Sequence, residues 1–250
     1  MDNPYNPLIT IITITYNAQD HLQATMQSVN NQAFRNFEHL IIDGASTDHT
    51  LDIAKSHSLA NTRIISEPDN GLYDAMNKGL RQAKGKYVIF LNAGDTFHNE
   101  DILGKYAFEV EKNSDIISGD TVVVDSQRNF IKPRHLSVPQ QLTFQSFAKG
   151  MLICHQAFMV KKSLAPEFNT DYKFSADYDW TVRCIQNTDP SKCINLNCIT
   201  IDYLSDGLTD KNKFKSLKER FKIMMIHYGL FSTIINHVSF IFRAVKRKSI

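Results

Sequence analysis

The chain has 250 residues, enough for one large α/β core or such a core with a small appendage. Its 42% hydrophobic and 22% charged content, with 10 Gly and 7 Pro, is that of an ordinary globular protein and not of a disordered chain. The formal charge of +2 is uneven: residues 211–250 hold ten Lys or Arg and one acid, Glu219, for +9, leaving −7 on the first 210, a poor surface for non-specific nucleic-acid binding.

The N-terminal "MDNPYNPLITI" has no basic segment before its apolar run, which alternates with threonine, so a strand is expected and not a signal peptide. A β-branched strand over Leu8 to Tyr16 precedes a polar helix from about Asp20 to Gln32. Glu38 to Asp43 is a second strand, followed by helical character over Leu51 to His57. Arg63 to Glu67 is a third strand, with a helix through Tyr73 to Ala83 after it, and Lys86 to Asn92 is a fourth. This alternation predicts βαβ units and a mixed, mainly parallel sheet flanked by helices. Ligands of such sheets bind beyond the carboxyl ends of the strands. Each run here ends in polar residues: Tyr16-Asn17, Asp43-Gly44-Ala45-Ser46, Glu67-Pro68-Asp69 and Asn92-Ala93-Gly94-Asp95.

In the third helix Leu72, Met76 and Leu80 form a core stripe, and Ala75, Gly79 and Ala83 a small-residue stripe suited to close packing on the sheet. Asp74, Asn77 and Lys78 fall on another face, where a solvated Asp74–Lys78 pair is expected. Asp69-Asn70-Gly71 alone reads as a turn. Acids at two further strand ends, Asp43 and Asp95, exceed what turns require. Past Asp95 the alternation gives way to short strands within Asp115 to Arg134, a strand over His155 to Lys162, a helix from Ala176 to Asn187 and a strand over Ile194 to Leu204. Cys154, Cys184, Cys193 and Cys198 show neither zinc-type pairing nor the density of a disulfide scaffold, so reduced thiols in a cytoplasmic protein are expected.

Taken in order, "TITYNAQDHLQATMQSV", "IIDGASTDHT", "SEPDNGLYDAMNKGL" and "GKYVIFLNAGD" resemble the bacterial family 2 glycosyltransferases, inverting enzymes of the GT-A fold. The likeness runs over roughly residues 8–205 and is nearest to the subgroup that builds exopolysaccharide (colanic-acid type) and O-antigen repeat units of lipopolysaccharide. It implies that Asp43 and Asp69 bind the nucleoside of a nucleotide sugar, usually UDP-linked, with Tyr16, Asn17, Lys78 and Asn92 beside them. Asp95 corresponds to the last acid of the metal-binding DxD region. Many relatives read "LDADD" there and this chain reads "LNAGD", so Asp95, phosphates and water would hold the Mn²⁺ or Mg²⁺ ion. Asn92 reads equally as a turn or capping side chain. "FSADYDW" aligns Asp177 with the base that takes the acceptor's proton and Arg183 with a later arginine; Ala176 stands where a Glu is common. Asp177 could alternatively cap its helix. His155, Gln156 and Asp179 are acceptor-side candidates.

The expected function is inverting transfer from a nucleotide sugar to a bacterial surface polysaccharide or a lipid-linked saccharide. The alternative is a catalytically weak nucleotide-sugar or glycan-binding protein of the same fold. A sugar nucleotidyltransferase would carry a Gly-rich phosphate loop after strand one, and "TYNAQDHL" has no glycine. The division expected is a catalytic domain over 1–210, with a nucleotide-sugar half to about 97 and an acceptor half after it, then a basic and apolar helical tail over 211–250. Within the tail, Ile223 to Phe242 contains no Asp, Glu, Lys or Arg, yet His227, Gly229, Asn236 and His237 argue against a membrane span. Helices docked on the domain and an interfacial segment on the anionic inner face of the cell membrane are both open readings.

Overall fold

The computed structural model describes residues 6–134, 138–205 and 213–238. β1 (Ile9–Thr15) is buried at all seven positions and lies in the interior of the sheet. Apolar and threonine side chains on both its faces leave neither for water, as in sheets covered by helices on two sides. β2 (Phe37–Asp43) and β4 (Tyr87–Phe90) flank β1, both parallel to it, and β3 (Thr62–Ser66) extends the sheet beyond β2. Helices α1 (Leu22–Asn30), α2 (Thr50–Ser56) and α3 (Leu72–Gln82) make the crossovers.

The second half adds β5 (Thr96–Phe97), α4 (Ile102–Glu111), β6 (Ile116–Val124), β7 (Phe130–Pro133), β8 (Phe158–Lys161), α5 (Ala176–Gln186) and β9 (Cys193–Leu204). The sheet order is β3-β2-β1-β4-β8-β6-β9-β5, with β7 paired to β6. β8 is antiparallel to both β4 and β6, whereas β9 runs parallel to β6. The sheet is mixed as expected, with its longer ladders parallel. Two differences have physical causes. The strand expected from His155 starts at Phe158, because His155–Ala157 winds into a 3-10 turn. α4 has no counterpart in the sequence reading, since Gly104 interrupts a pattern whose buried positions, Ile102, Leu103, Tyr106, Ala107 and Val110, follow the helical repeat.

α3 packs through its small-residue stripe. A Cβ on Gly79 would stand 2.5 Å from Ile12 Cγ2, so only glycine lets the helix approach this closely. Asn77 departs from the expected solvated face: it is buried, donating from Nδ2 to Phe168 O (2.9 Å) and accepting from Phe168 N (2.7 Å). Lys78 also departs from it. Its ammonium donates to Pro68 O (2.6 Å) and pairs with Glu67 (3.0 Å), while Asp74 is 3.9 Å away.

The boundary expected at 210 falls among residues outside the described set. Beyond it, α6 (Lys213–Tyr228) brings Ile223 and Met224 into the same apolar cluster as Ile12, Phe90 and Trp180. Gly229, at φ +78°, separates α6 from a second helix, α7, over 230–238. No helix among the described residues is long and apolar enough to cross a membrane. The four cysteines are unpaired, and three are buried.

Candidate active site

Parallel pairing brings the carboxyl ends of β1, β2, β3 and β4 to one rim. Asp43 ends β2 and is fully buried. Its Oδ2 accepts from Ser46 N (3.0 Å) and Ser66 Oγ (2.6 Å), and its Oδ1 from the Ser46 hydroxyl. One carboxylate thereby ties the loop after β2 to the end of β3. Asn17, in a left-handed conformation at φ +46°, ties in β1: its amide donates to Ser46 Oγ (2.8 Å) and its Oδ1 accepts from Thr47 N (2.9 Å). Asp69 lies over Gly44, where a Cβ would meet Asp69 Oδ2 at 2.5 Å and the Tyr16 ring at 3.3 Å. Tyr16 is 65% exposed, so this corner offers water an aromatic ring and a half-buried carboxylate with a glycine between them.

At β4 the turn Asn92–Asp95 closes with Asp95 N donating to Asn92 O (3.0 Å), and Gly94 takes φ +106°. Thr25 of α1 fixes the turn: its hydroxyl donates to Asp95 O (2.8 Å) and accepts from Gly94 N (2.9 Å). The buried Asp95 carboxylate accepts from Leu204 N (2.9 Å) and from Gln156 Nε2 (2.5 Å). Burial is the main cause pushing this carboxyl up to about 7, against those bonds and the charges of His155 and Arg128.

The neighbouring residue serves a second acid. His155 Nε2 lies 3.4 Å from Asn92 Nδ2, and its Nδ1 lies 3.5 Å from Asp177 Oδ2. Asp177, in the first turn of α5, also accepts from Tyr73 Oη of α3 at 3.2 Å. Burial pushes the Asp177 carboxyl up, but the His155 hydrogen bond and charge, the Arg220 charge and the Tyr178 amide outweigh it, so the group stays below the ordinary carboxylate value. A partly exposed carboxylate held ionised can take a proton from a hydroxyl placed against it.

Tyr16, Asn17, Asp43 and Asp69 thus form one group on the rim, and Asn92, Asp95, His155, Gln156 and Asp177 a second. Lys78 joins neither, since it fastens the Glu67-Pro68 segment. Asp179 faces the other way: it accepts from Arg183 Nε (2.7 Å) and from His227 Nε2 of α6 (2.9 Å), an ion-pair cluster that fastens α6 to α5. Arg183 also donates to Glu167 O. Sequence reasoning missed Tyr73, which belongs to neither stripe of its helix, and Arg220, in a stretch that the resemblance does not reach. Among the described residues no group of three His, Cys, Asp or Glu could hold a metal ion. The residues do fit a sparsely held hard cation: Asn92 Oδ1 is buried without a hydrogen-bond partner among the described residues, and the Asp95 carboxylate closes the same turn.

A family model described as "Glycosyl transferase family 2" matches residues 10–167. A "PGL/p-HBAD biosynthesis glycosyltransferase" of Mycobacterium bovis is 33% identical over 189 residues, 72% of this chain and 71% of the relative. A "Putative teichuronic acid biosynthesis glycosyltransferase TuaG" of Bacillus subtilis is 30% identical over 152 residues, 60% of each chain. Among solved structures, S. aureus TarS 1-349 in complex with UDP-GlcNAc superposes with a TM-score of 0.71 at 19% identity, over 88% of this chain and 65% of that one.

Proposed function

The chain belongs to glycosyl transferase family 2 and has the GT-A fold, and from that premise we propose that it moves a sugar from a UDP-sugar to a hydroxyl of a bacterial surface glycan, with inversion at the anomeric carbon. The observation that carries this reading is the 3-10 turn His155–Ala157, whose consecutive side chains hold a buried carboxylate, Asp95, through Gln156 and a partly exposed one, Asp177, through His155. In the proposed mechanism Tyr16 and Asp69 receive the base and ribose, and Asp43 keeps the three loops around them in place. Asn92 and Asp95 hold the Mn²⁺ or Mg²⁺ that, when bound, neutralises the diphosphate. Asp177 removes the proton of the acceptor hydroxyl as its oxygen attacks the anomeric carbon, and the bond to the diphosphate oxygen breaks.

The acceptor class proposed is a lipid-linked saccharide of exopolysaccharide or O-antigen assembly, reached from the cytoplasmic face of the membrane. Its support is the outer surface of the tail helices, where Phe214 (90% exposed), Phe231 (80%), Ile226, Leu230, Ile234 and Ile235 stand near Lys215, Lys218 and Lys222. Apolar side chains beside lysines suit a shallow seat on an anionic leaflet. Deleting the whole tail would not test this, since Ile223 and Met224 are core residues. Replacing Phe231 and Ile235 with serine should instead lower binding to phosphatidylglycerol vesicles at low salt, and phosphatidylcholine vesicles should bind the unaltered protein weakly. Equal binding by both proteins would remove the membrane from this proposal.

The transfer reaction is tested by incubating the protein with a panel of nucleotide sugars, lipid-linked acceptors and Mn²⁺, reading the product's anomeric configuration by NMR. Product of inverted configuration is expected. Retained configuration would overturn the assignment of Asp177, and UDP binding without turnover would favour a nucleotide-sugar-binding protein, the reading suggested by the single acid in "LNAGD".

A further inference from the structure

α6 turns one face toward α5. Ser216, Arg220, Ile223, Met224 and His227 recur on it at helical spacing. At one end Ser216 and Ser175 join hydroxyls at 2.9 Å, and Glu219 accepts from Lys173 N (2.9 Å) and Phe174 N (2.8 Å). At the other, His227 reaches Asp179. The helix is therefore pinned alongside the start of α5, at Ser175 and at Asp179, and Asp177 lies between those points. Arg220 is one turn past Ser216 on the same face. Its Nε is buried with no hydrogen-bond partner among the described residues, and its charge acts on Asp177 and Tyr178. A guanidinium placed only to fill space would be costly at such a position, where leucine or methionine packs without loss.

We propose that Arg220 is a positioning residue of the transfer site, acting through Asp177: it keeps that base a carboxylate in a buried pocket, so that α6 completes the active site from outside the segment of the family match. This rests on Asp177 as the base. The groups facing Asp177 are Tyr73 from α3, Cys154 and His155 from the segment before β8, and Arg220 and Glu219 from α6, with Asp179 and Arg183 turned to the far side of α5. Of these, His155 and Arg220 are the groups whose charge opposes the desolvation of Asp177. Losing Arg220 leaves His155 as the one charge of that kind, beside the neutral Tyr178 amide.

The test uses the full chain with Arg220→Gln and Arg220→Lys. Carbonyl-labelled aspartate is titrated by NMR, with the Asp177 signal assigned by its loss in Asp177→Asn. The Asp177 midpoint should rise by about one pH unit in Arg220→Gln, the low end of what an adjacent opposite charge produces, and largely recover in Arg220→Lys. The acid limb of kcat/KM should move with it. UDP affinity should stay within about twofold, since Arg220 acts on the base. If Arg220→Gln unfolds, Arg220→Met keeps the volume and gives the same readout. An unmoved midpoint in a folded variant overturns the proposal. So does a large loss of UDP affinity with Asp177 unchanged, which would make Arg220 a diphosphate ligand. The titration needs no turnover, so absence of transfer with every donor would fail the functional reading while leaving the result for Arg220 intact.

Discussion

The two groups of site residues are made in different ways. Around Asp43 the bonds join residues 3 and 23 positions apart, within successive βα units of one parallel layer. Around Asp95 and Asp177 they join residues 61, 104 and 109 apart, bringing β4, α3, α5, β9 and the turn before β8 to one place. The first group ties its buried acid with serine hydroxyls and a backbone amide. The second sets its two acids in opposite directions, the buried Asp95 toward the neutral form and the partly exposed Asp177 toward the carboxylate. In the proposed function the first group serves a nucleotide, which needs a preformed pocket, and the second serves proton removal, which needs an acid tuned by partners from several elements.

Asp177→Asn should break the second group most sharply. Transfer should fall about 10²–10⁴-fold, as for loss of a general base, with UDP affinity by calorimetry unchanged. Near-normal turnover in a folded variant would place the base elsewhere.

Acid should strain the two halves in different windows. His39 of β2 is buried and held at about 4, below its ordinary 6.5, by burial, with Nε2 on Thr13 Oγ1 at 2.9 Å. The unfolded chain binds this proton first, so the stability is full above pH 6.5 and is lost as pH falls toward 4, by roughly 3 kcal/mol. The buried position of Asp179 raises its carboxyl, but His227 and Arg183 outweigh this and hold it below 3.8. Its contribution is present above that value and is lost only as pH falls below it. Denaturant melts at pH 7, 5 and 4 should therefore show a decline that His39→Gln lessens and Asp179→Asn does not.

Asp43→Ala should weaken UDP binding by about tenfold or more and cost roughly 2 kcal/mol of stability, because two hydroxyls and an amide lose their acceptor. Asp95→Ala should change the Mn²⁺ dependence and leave nucleoside affinity closer to normal. Identical effects of the two changes would merge the groups that the fold separates.

The smallest effects concern the seam between the halves. Asn77→Ala removes two buried bonds to Phe168 and should cost about 1–3 kcal/mol. Arg81→Ala removes a pair with Glu167 in which both side chains are at least half exposed, and chemical denaturation should find it worth less than about 1 kcal/mol.

Much of the first group, and one acid of the second, was legible in the sequence, because β-branched runs alternating with helical stretches put Asp43, Asp69 and Asp95 at neighbouring strand ends. The partners of those acids were not. Local spacing does not reveal that Gln156 reaches Asp95, or that Asn77 turns inward to Phe168, since both depend on where a distant segment folds back. Asp177 was visible through family resemblance, whereas its helix could equally have used it as a cap. The orientation of Asp179 toward His227 depends on α6, whose docking face alternates polar and apolar residues and carries no motif.

The pinning of α6 against α5 also sets an order of events during synthesis. Domains fold from the N-terminal side as the chain emerges, and the bonds that tie Asn17 and Asp43 to the loop after β2 and to the end of β3 draw only on residues up to 66. The base cannot be held until residues 216–227 are available to close on Ser175 and Asp179. A ribosome stalled before that point would carry a chain that holds the partners of Asp43 and lacks the helix that flanks Asp177.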